Sequence, residues 1–307
     1  MHYLVTGGCG FIGSHLLESL LAAGHTATVI DDLSTGKREN LPAGVTLIQG
    51  DITTAGIFDD MLKTADGCFH LAAIASVQKS KEEWLRTHQV NLGGTIALFD
   101  AIIKSGRKIP VVFASSAAVY GANSDVPLKE TALCEPLSAY GADKHACEPN
   151  ARIATELHGI PTAGMRFFNV YGPRQDPYSP YSGVISIFAG RMKNNQPLAI
   201  FGDGEQSRDF IFVKDVVLAL TKAMAVLESG ALKHGIFNVC TGIETTVNQL
   251  AQLLKNMTQS TSTIQHGQAR DGDIRISLGD TSKIQQALGF KATTLLADGL
   301  KQTVEYL

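Results

Sequence analysis

The segment Thr6-Gly-Gly-Cys-Gly-Phe-Ile-Gly13 constrains this chain more than any other. It follows a short apolar run at residues 3–6 and opens a helical pattern at 11–23, in which Ile12, Leu16, Leu17, Leu20 and Leu21 share one face before Gly24 supplies a stop. Each glycine answers a separate steric demand. Gly7 permits a tight turn, Gly10 lets the backbone approach a pyrophosphate, and Gly13 allows helix and sheet to pack closely. The helix N-terminus then offers unpaired N–H groups to an anion. A glycine-rich turn alone is common in many folds. Its place after the first strand, with Asp31 closing the second, makes it a dinucleotide loop.

The rest of the first half repeats the strand–helix alternation. Runs at 28–30, 46–48, 68–70, 111–114 and 162–167 are short, apolar and bounded by Gly, Asp or Ser, so they predict buried strands. Helical patterns lie between them at 58–64, 82–104 and 140–158. Right-handed crossovers then imply an α/β fold with a doubly wound parallel sheet. Past Tyr171 the pattern changes. Residues 172–183 are rich in Pro, Tyr and Ser and read as a loop. Helices at 184–193, 213–226, 246–257 and 295–306 follow, interleaved with strands at 199–201, 210–212 and 236–239. We expect a cofactor domain over 1–170 and a smaller mixed α/β substrate lobe over 171–307, interleaved so that C-terminal segments return to the main sheet. A ligand belongs between the lobes, beyond the carboxyl ends of the strands.

Composition removes other classes. A chain of 307 residues buries about three quarters of its unfolded surface and needs no disulfide or metal. The formal charge of −3 provides no basic field for a phosphate polymer, so nucleic acid is not expected as a partner. Cys9, Cys68, Cys134, Cys147 and Cys240 are odd in number and widely spaced, as free thiols in a reducing compartment are. The histidines show no ligand spacing, and no metal is expected; His70 reads as a packed strand-end residue. No basic leader and no apolar run long enough for a membrane span are visible, so a soluble cytoplasmic protein is expected.

Two further features carry chemistry. Asp31 suits the adenosine ribose hydroxyls and favours NAD over a 2′-phosphorylated cofactor; Asp32 adds to the negative potential, and Lys37 and Arg38 read as a solvated loop. Tyr140 and Lys144 lie at i and i+4, one helical face. A free phenol titrates near pH 10, and lowering that by about three units requires roughly 4 kcal/mol of differential interaction, which a nearby ammonium helps to supply. A tyrosine packed on a lysine stem is the bland reading. Ser116, ending the fifth strand, places a hydroxyl toward the same cleft.

With these residues in this order, the sequence resembles the extended short-chain dehydrogenases/reductases, Rossmann-type proteins, and among them the nucleotide-sugar 4-epimerases. The resemblance spans essentially the whole chain, through Asp51-Ile52, His70-Leu-Ala-Ala73, Asn91-Leu-Gly-Gly-Thr95, Ser115–Gly121 as a strand-end motif, Arg166-Phe-Phe-Asn-Val-Tyr-Gly-Pro173, Arg208-Asp-Phe210 and Arg270-Asp-Gly-Asp273. It implies NAD contacts from Gly7, Gly10, Phe11, Ile12, Asp31, Asp32, Leu33, Ser34, Thr35, Gly36, Asp51, Ile52, Leu71, Ala72, Ala73, Asn91, Tyr140, Lys144 and Phe168. It implies substrate contacts from Ser116, Tyr140, Asn169, Gly183, Val184, Ala199, Phe201, Arg208, Arg270, Asp273 and Ser277. Tyr140 is then the base for the sugar 4-hydroxyl, Ser116 holds the reacting oxygen, and Lys144 grips the nicotinamide ribose and tunes Tyr140. A homodimer through 82–104 and 140–158 is also implied.

Within that family, relatives that dehydrate or decarboxylate carry acids just after the catalytic hydroxyl, where this chain has Ala117 and Ala118. That favours C4 epimerisation of a UDP-hexose. Ser277, small where relatives restricted to UDP-Glc and UDP-Gal are bulky, points to UDP-GlcNAc/UDP-GalNAc, with UDP-Glc/UDP-Gal as a second pair. A UDP-glucuronate 4-epimerase and a catalytically silent NAD-binding sensor are the alternatives. Ala75 and Ser76 stand where some relatives place a cofactor-contacting lysine.

Overall fold

A computed structural model describes residues 1–177, 183–270 and 272–307. Six parallel strands form the frame: β1 (His2–Thr6), β2 (Thr26–Asp31), β3 (Thr46–Gln49), β4 (Gly67–His70), β5 (Val111–Ser116) and β6 (Thr162–Phe167). Their order in the sheet is β3-β2-β1-β4-β5-β6, and all pairs are parallel. Strand order reverses between β1 and β4, so a crevice opens there at the carboxyl ends, where doubly wound sheets bind ligands. The connecting helices are α1 (Phe11–Ala22), α2 (Asp59–Leu62), α3 (Val77–Glu82), α4 (Trp84–His88), α5 (Gly94–Ser105) and α6 (Ala139–His158).

The apolar stripe read from the sequence is the buried face of α1: Leu16, Leu17 and Leu20 pack with Val5, Val29 and Phe69 on one side of the sheet. Each such side chain contributes roughly 2 kcal/mol of burial. The opposite face carries Leu4, Ile30 and Val111 against Leu98, Ile102 and Ala151 of α5 and α6.

The helix expected over 82–104 runs unbroken from Trp84 to Ser105, with α4, a π-helical turn at Gln89–Gly93 and α5 as its successive parts; α3 is a separate short helix before it. The extra residue in that turn serves Asn91. Its Oδ1 accepts from the Ile74 amide at 2.8 Å and its Nδ2 donates to the Ile74 carbonyl at 3.1 Å. Periodicity alone registers no such widening, because the apolar face continues through it.

Beyond β6 the chain forms β7 (Asn169–Tyr171), α7 (Val184–Lys193), β8 (Leu198–Phe201), β9 (Ser207–Phe212) and α8 (Val213–Glu228). It then returns to the main sheet as β10 (His234–Val239), a seventh parallel strand beside β6. β11 (Glu244–Thr246), α9 (Val247–Thr258), β12 (Ile264–Gly267), β13 (Ile276–Ser277), α10 (Ser282–Leu288) and α11 (Leu296–Tyr306) complete the chain. Two small sheets result: β11-β9-β13 with β7 also on β9, and β12-β8. Their core joins Phe188, Ile200, Phe212, Leu250 and Leu300. α8, although it follows β9, packs on α1 and β6 and fastens the smaller lobe to the large sheet. All five cysteines are free, and no helix among the described residues is long and apolar enough to cross a membrane.

Candidate active site

A cavity of about 350 Å³ lies over the crevice between β1 and β4. Gly7 sits at φ +72°, and a Cβ there would lie 2.7 Å from the Ala72 amide nitrogen. A Cβ on Gly13 would lie 2.2 Å from the Gly7 carbonyl oxygen, so the turn is wrapped directly on α1. At Gly10 a Cβ would meet only that same oxygen, at 3.2 Å. Gly10 also caps α1 without a side-chain bond, leaving first-turn amides available to an anion.

Gly7, Gly10, Phe11 and Ile12 line one part of the cavity; Asp31, Asp32, Ser34, Thr35 and Gly36 line another. Asp31 is buried, accepting from the Cys9 and Leu33 amides at 2.9 Å each. Burial raises its carboxyl above the ordinary range and those two amides pull it back. A carboxylate has about four acceptor positions, so capacity remains for ribose hydroxyls. Arg38 donates to Gln49 instead of facing the cleft. Asp51, Ile52, Leu71, Ala72 and Ala73 also line the cavity, as do Tyr140 and Lys144.

α6 presents Tyr140 and Lys144 to the end of β5. Lys144, buried, donates from Nζ to the Ala114 carbonyl at 2.8 Å. Ser116 ends β5 and caps the 3₁₀ turn Ala117–Tyr120 by accepting from the Ala118 amide. Its hydroxyl also stands close enough to Tyr140 to favour the ionised phenol. The expectation that Lys144 depresses the Tyr140 phenol needs correction. Burial raises Tyr140, and the group pulling it down is Ser116. Burial in turn lowers Lys144, the nearby Cys147 and Asp143 opposing it. A serine hydroxyl, a phenol and an ammonium together can stabilise an alkoxide-like oxygen and move one proton.

His70 closes β4 beneath this cluster. Thr95 donates to the Asn91 carbonyl and Thr6 accepts from the Leu71 and Ala72 amides. The ring is therefore neutral, its Nε2–H donating to Thr95 and its Nδ1 accepting from Thr6, at 3.1 and 2.8 Å. Burial, and to a lesser extent Lys144, lower its pKa from 6.5 to about 3. Below pH 6.5 the unfolded chain takes a proton that the folded chain refuses until about pH 3, so stability falls with pH in that window. By about pH 4.5 the loss is roughly 3 kcal/mol. Urea unfolding of the protein and of His70→Gln at neutral and acid pH checks this; equal pH slopes for the two would refute it.

Other residues assigned from the resemblance sit elsewhere. Asn91 does not line the cavity: both ends of its amide are committed to Ile74, and it acts on the 71–74 loop from behind. Leu33 and Phe168 also lie outside the lining; Phe168 packs with Tyr120, and Phe167 faces the cavity instead. Ser116 is not itself a wall of the cavity, although its neighbour Ser115 is.

The proposed sugar-nucleotide residues are gathered by the small sheets, outside the cavity lining. Arg208 on β9 stands opposite Ser277 on β13, and Asn169 on β7 opposite Phe210. Arg208 donates to Asp273 at 2.6 Å. The Arg270 guanidinium stacks 3.8 Å from the Phe201 ring centroid, with Ala199 two residues earlier on the same strand. Gly183 and Val184 start α7. Residues 178–182 of the expected loop, and Asp271, lie outside the described residues.

The model of the NAD dependent epimerase/dehydratase family matches residues 3–240. The chain belongs to this family. It is 35% identical to the UDP-glucose 4-epimerase of Mycolicibacterium smegmatis, over 100% of this chain and 98% of that one. Among solved structures it resembles a UDP-glucose 4-epimerase of Thermotoga maritima with UDP-glucose, at 38% identity and TM-score 0.93, covering 100% and 98% of the two chains. It also resembles a UDP-N-acetylglucosamine 4-epimerase of Methanobrevibacter ruminantium in complex with UDP-N-acetylmuramic acid, at 39% identity and TM-score 0.93, covering 99% and 97%.

NAD is the cofactor of this family member, and the cleft fits it: open backbone at Gly10, free amides at α1, and an acid at the end of β2. Three charged lining residues escaped the sequence reading, namely Lys79, Glu83 and Arg86. They come from α3, its C-cap and α4. Lys79 approaches Glu83 at 3.7 Å, while Arg86 pairs with Asp51 across the cavity. Lys79 stands one turn beyond Ala75 and Ser76, so the cation missing there is present nearby.

Proposed function

We propose that this enzyme epimerises a UDP-hexose at C4. The carrying observation is the Ser116–Tyr140–Lys144 set beside the dinucleotide loop, followed by Ala117 and Ala118 rather than by acids. Bound NAD supplies a reversible hydride acceptor. Tyr140 takes the proton from the 4-hydroxyl, and Ser116 holds that oxygen as it becomes a carbonyl. Lys144 grips the nicotinamide ribose. The 4-keto sugar then turns over, so that hydride returns to the other face of C4 and Tyr140 returns the proton to the oxygen. Methyl groups at 117 and 118 offer no second acid or base, so elimination and decarboxylation lack a proton carrier.

Residues 1–170 form the cofactor domain in this reading, and 171–307 the nucleotide-sugar lobe, with β10 lent to the main sheet. Arg208 and Arg270 hold the pyrophosphate, each guanidinium leaving its present partner for phosphate oxygens. Asp273, released from Arg208, accepts from ribose hydroxyls, and Ala199 and Phe201 bracket the uracil. Asn169, Gly183 and Val184 contact the sugar nucleotide. Ser277 leaves room for an acetamido group, so UDP-GlcNAc/UDP-GalNAc is the preferred pair. Incubation with UDP-GlcNAc, UDP-Glc and UDP-GlcA in turn, followed by NMR of the anomeric signals, tests this. Turnover of UDP-Glc alone or of UDP-GlcA alone refutes the acetamido assignment, and no turnover of any refutes the activity.

A homodimer is supported by apolar faces on two adjacent helices: Ile96 and Ile103 on α5, Ile153 and Leu157 on α6, all exposed. The Asp51–Arg86 pair spans the cleft at the residues assigned to adenine. A half-exposed pair is worth up to about 1 kcal/mol, or about fivefold. Arg86→Ala therefore loses NAD several-fold faster on dialysis, with turnover at saturating NAD unchanged. Equal retention by the variant counts against the pair as a strap.

A further inference from the structure

Glu148 has no role in the reaction as described, yet it is buried on α6, and Tyr140, Lys144 and Glu148 lie at i, i+4 and i+8 on one helix face. Each is tied to a different one of the last three residues of β5. Tyr140 meets the Ser116 hydroxyl, Lys144 donates to the Ala114 carbonyl, and Ser115 donates from Oγ to Glu148 Oε1 at 2.7 Å. Arg166, directly opposite Ser115 on β6, closes a two-bond fork on the same carboxylate: Nε to Oε1 at 2.8 Å and Nη2 to Oε2 at 2.6 Å. The guanidinium is itself fixed by the Glu130 carbonyl at 3.3 Å and lies 4.8 Å from the Tyr120 ring centroid. Tyr120 in turn donates to Asn238 Oδ1 on β10 at 2.6 Å.

A buried ion pair is weak evidence for stability, since desolvation offsets most of its attraction. What the fork does supply is direction. A planar guanidinium accepts a carboxylate in one plane only, so Arg166 fixes where the third turn of α6 stands relative to β5 and β6. The apolar contacts of Cys147, Ala151 and Ala154 hold α6 against the sheet but are non-directional and leave its roll to polar ties. Rolling α6 would carry Tyr140 off Ser116 and Lys144 off Ala114 together. We infer that Glu148, locked by Ser115 and Arg166, is a positioning residue for the proton-transfer pair, setting the roll of α6 against the ends of β5 and β6. This rests on the reading of Tyr140 and Ser116 as the reacting groups.

Two variants test it in the NAD-loaded, full-length protein. Ser115→Ala removes the tie to β5 and leaves the ion pair. The double variant Glu148→Gln with Arg166→Met removes the fork without stranding a buried charge. Both are expected to lower kcat about tenfold, with KM, NAD content and melting temperature close to the parent. An ultraviolet tyrosinate titration, taken as the difference between each protein and its Tyr140→Phe counterpart, reads the phenol without any sugar. Its midpoint is expected to rise in both variants as Ser116 moves away from the phenol, the other groups nearby, Lys144 and Cys147, being unchanged in kind. Unchanged kcat with an unchanged titration overturns the inference. So does a loss of kcat that merely follows a loss of melting temperature. If the parent turns over no UDP-sugar, the proposed function fails, and the titration still decides the positioning.

Discussion

Tyr140→Phe is expected to abolish turnover, by about 10³-fold, the usual worth of a placed general base, while leaving bound NAD in place. The substitution removes one oxygen. Tyr140 is partly buried against Ser116, and its ring keeps its packing in the variant. No backbone contact of the dinucleotide loop involves the hydroxyl, so cofactor content is not expected to change. NAD released by denaturation and turnover of the epimerised sugar are measured on the same preparation. Turnover within tenfold of the parent would remove Tyr140 as the base. Because burial raises this phenol, the pH–rate profile carries a second expectation. Tyr140 ionises only at high pH unless cofactor and substrate oppose burial, so kcat/KM rises with pH toward an apparent value that belongs to the loaded site. Ser116→Ala, which removes the group pulling the phenol down, is expected to move that rising limb to higher pH.

The sequence spoke clearly wherever one residue type has one steric reason. The pattern gives Gly7 a turn and Gly13 a close packing, and backbone atoms lie within 2.7 and 2.2 Å of the absent Cβ positions. Five of the six frame strands are legible because burial in the sheet leaves apolar runs, whereas β3, at the sheet edge, has no buried residue. The π-helical turn at Gln89–Gly93 was not legible, because widening a helix by one residue does not disturb its apolar face. Strands β11 and β13, of three and two residues, carry too little pattern to read. The electrostatics of the site were the hardest to foresee. Tyr140 and Lys144 lie on one helix face as their spacing predicts, but Lys144 spends a hydrogen bond on Ala114, and the neighbour that matters to the phenol comes from β5. Glu148 and Arg166 are 18 residues apart in sequence and meet only through the β5–β6 pairing. Spacing along one element is visible in a sequence; the partner supplied by another element is not.

The contrast between two glycines gives the other large effect. Gly13→Ala puts a methyl carbon 2.2 Å from the Gly7 carbonyl oxygen and 2.8 Å from the Gly8 Cα, both backbone atoms that cannot rotate away. α1 must retreat from the loop, and with it the first-turn amides proposed to receive the pyrophosphate. NAD affinity is expected to fall at least about 100-fold, about 2.7 kcal/mol, and the melting temperature to fall as well, since Leu16, Leu17 and Leu20 ride on the same helix. At Gly10 the added methyl meets only the Gly7 oxygen, at 3.2 Å, a gap that a few tenths of an ångström relieves. Gly10→Ala is therefore expected to melt close to the parent and still lose NAD, because the methyl occupies the approach to the phosphates. Isothermal titration with NAD and thermal unfolding of both variants separate the two roles. If Gly13→Ala melted and bound NAD like the parent, the loop would not be wrapped on α1 as described. If Gly10→Ala bound NAD like the parent, the pyrophosphate would not pass over Gly10.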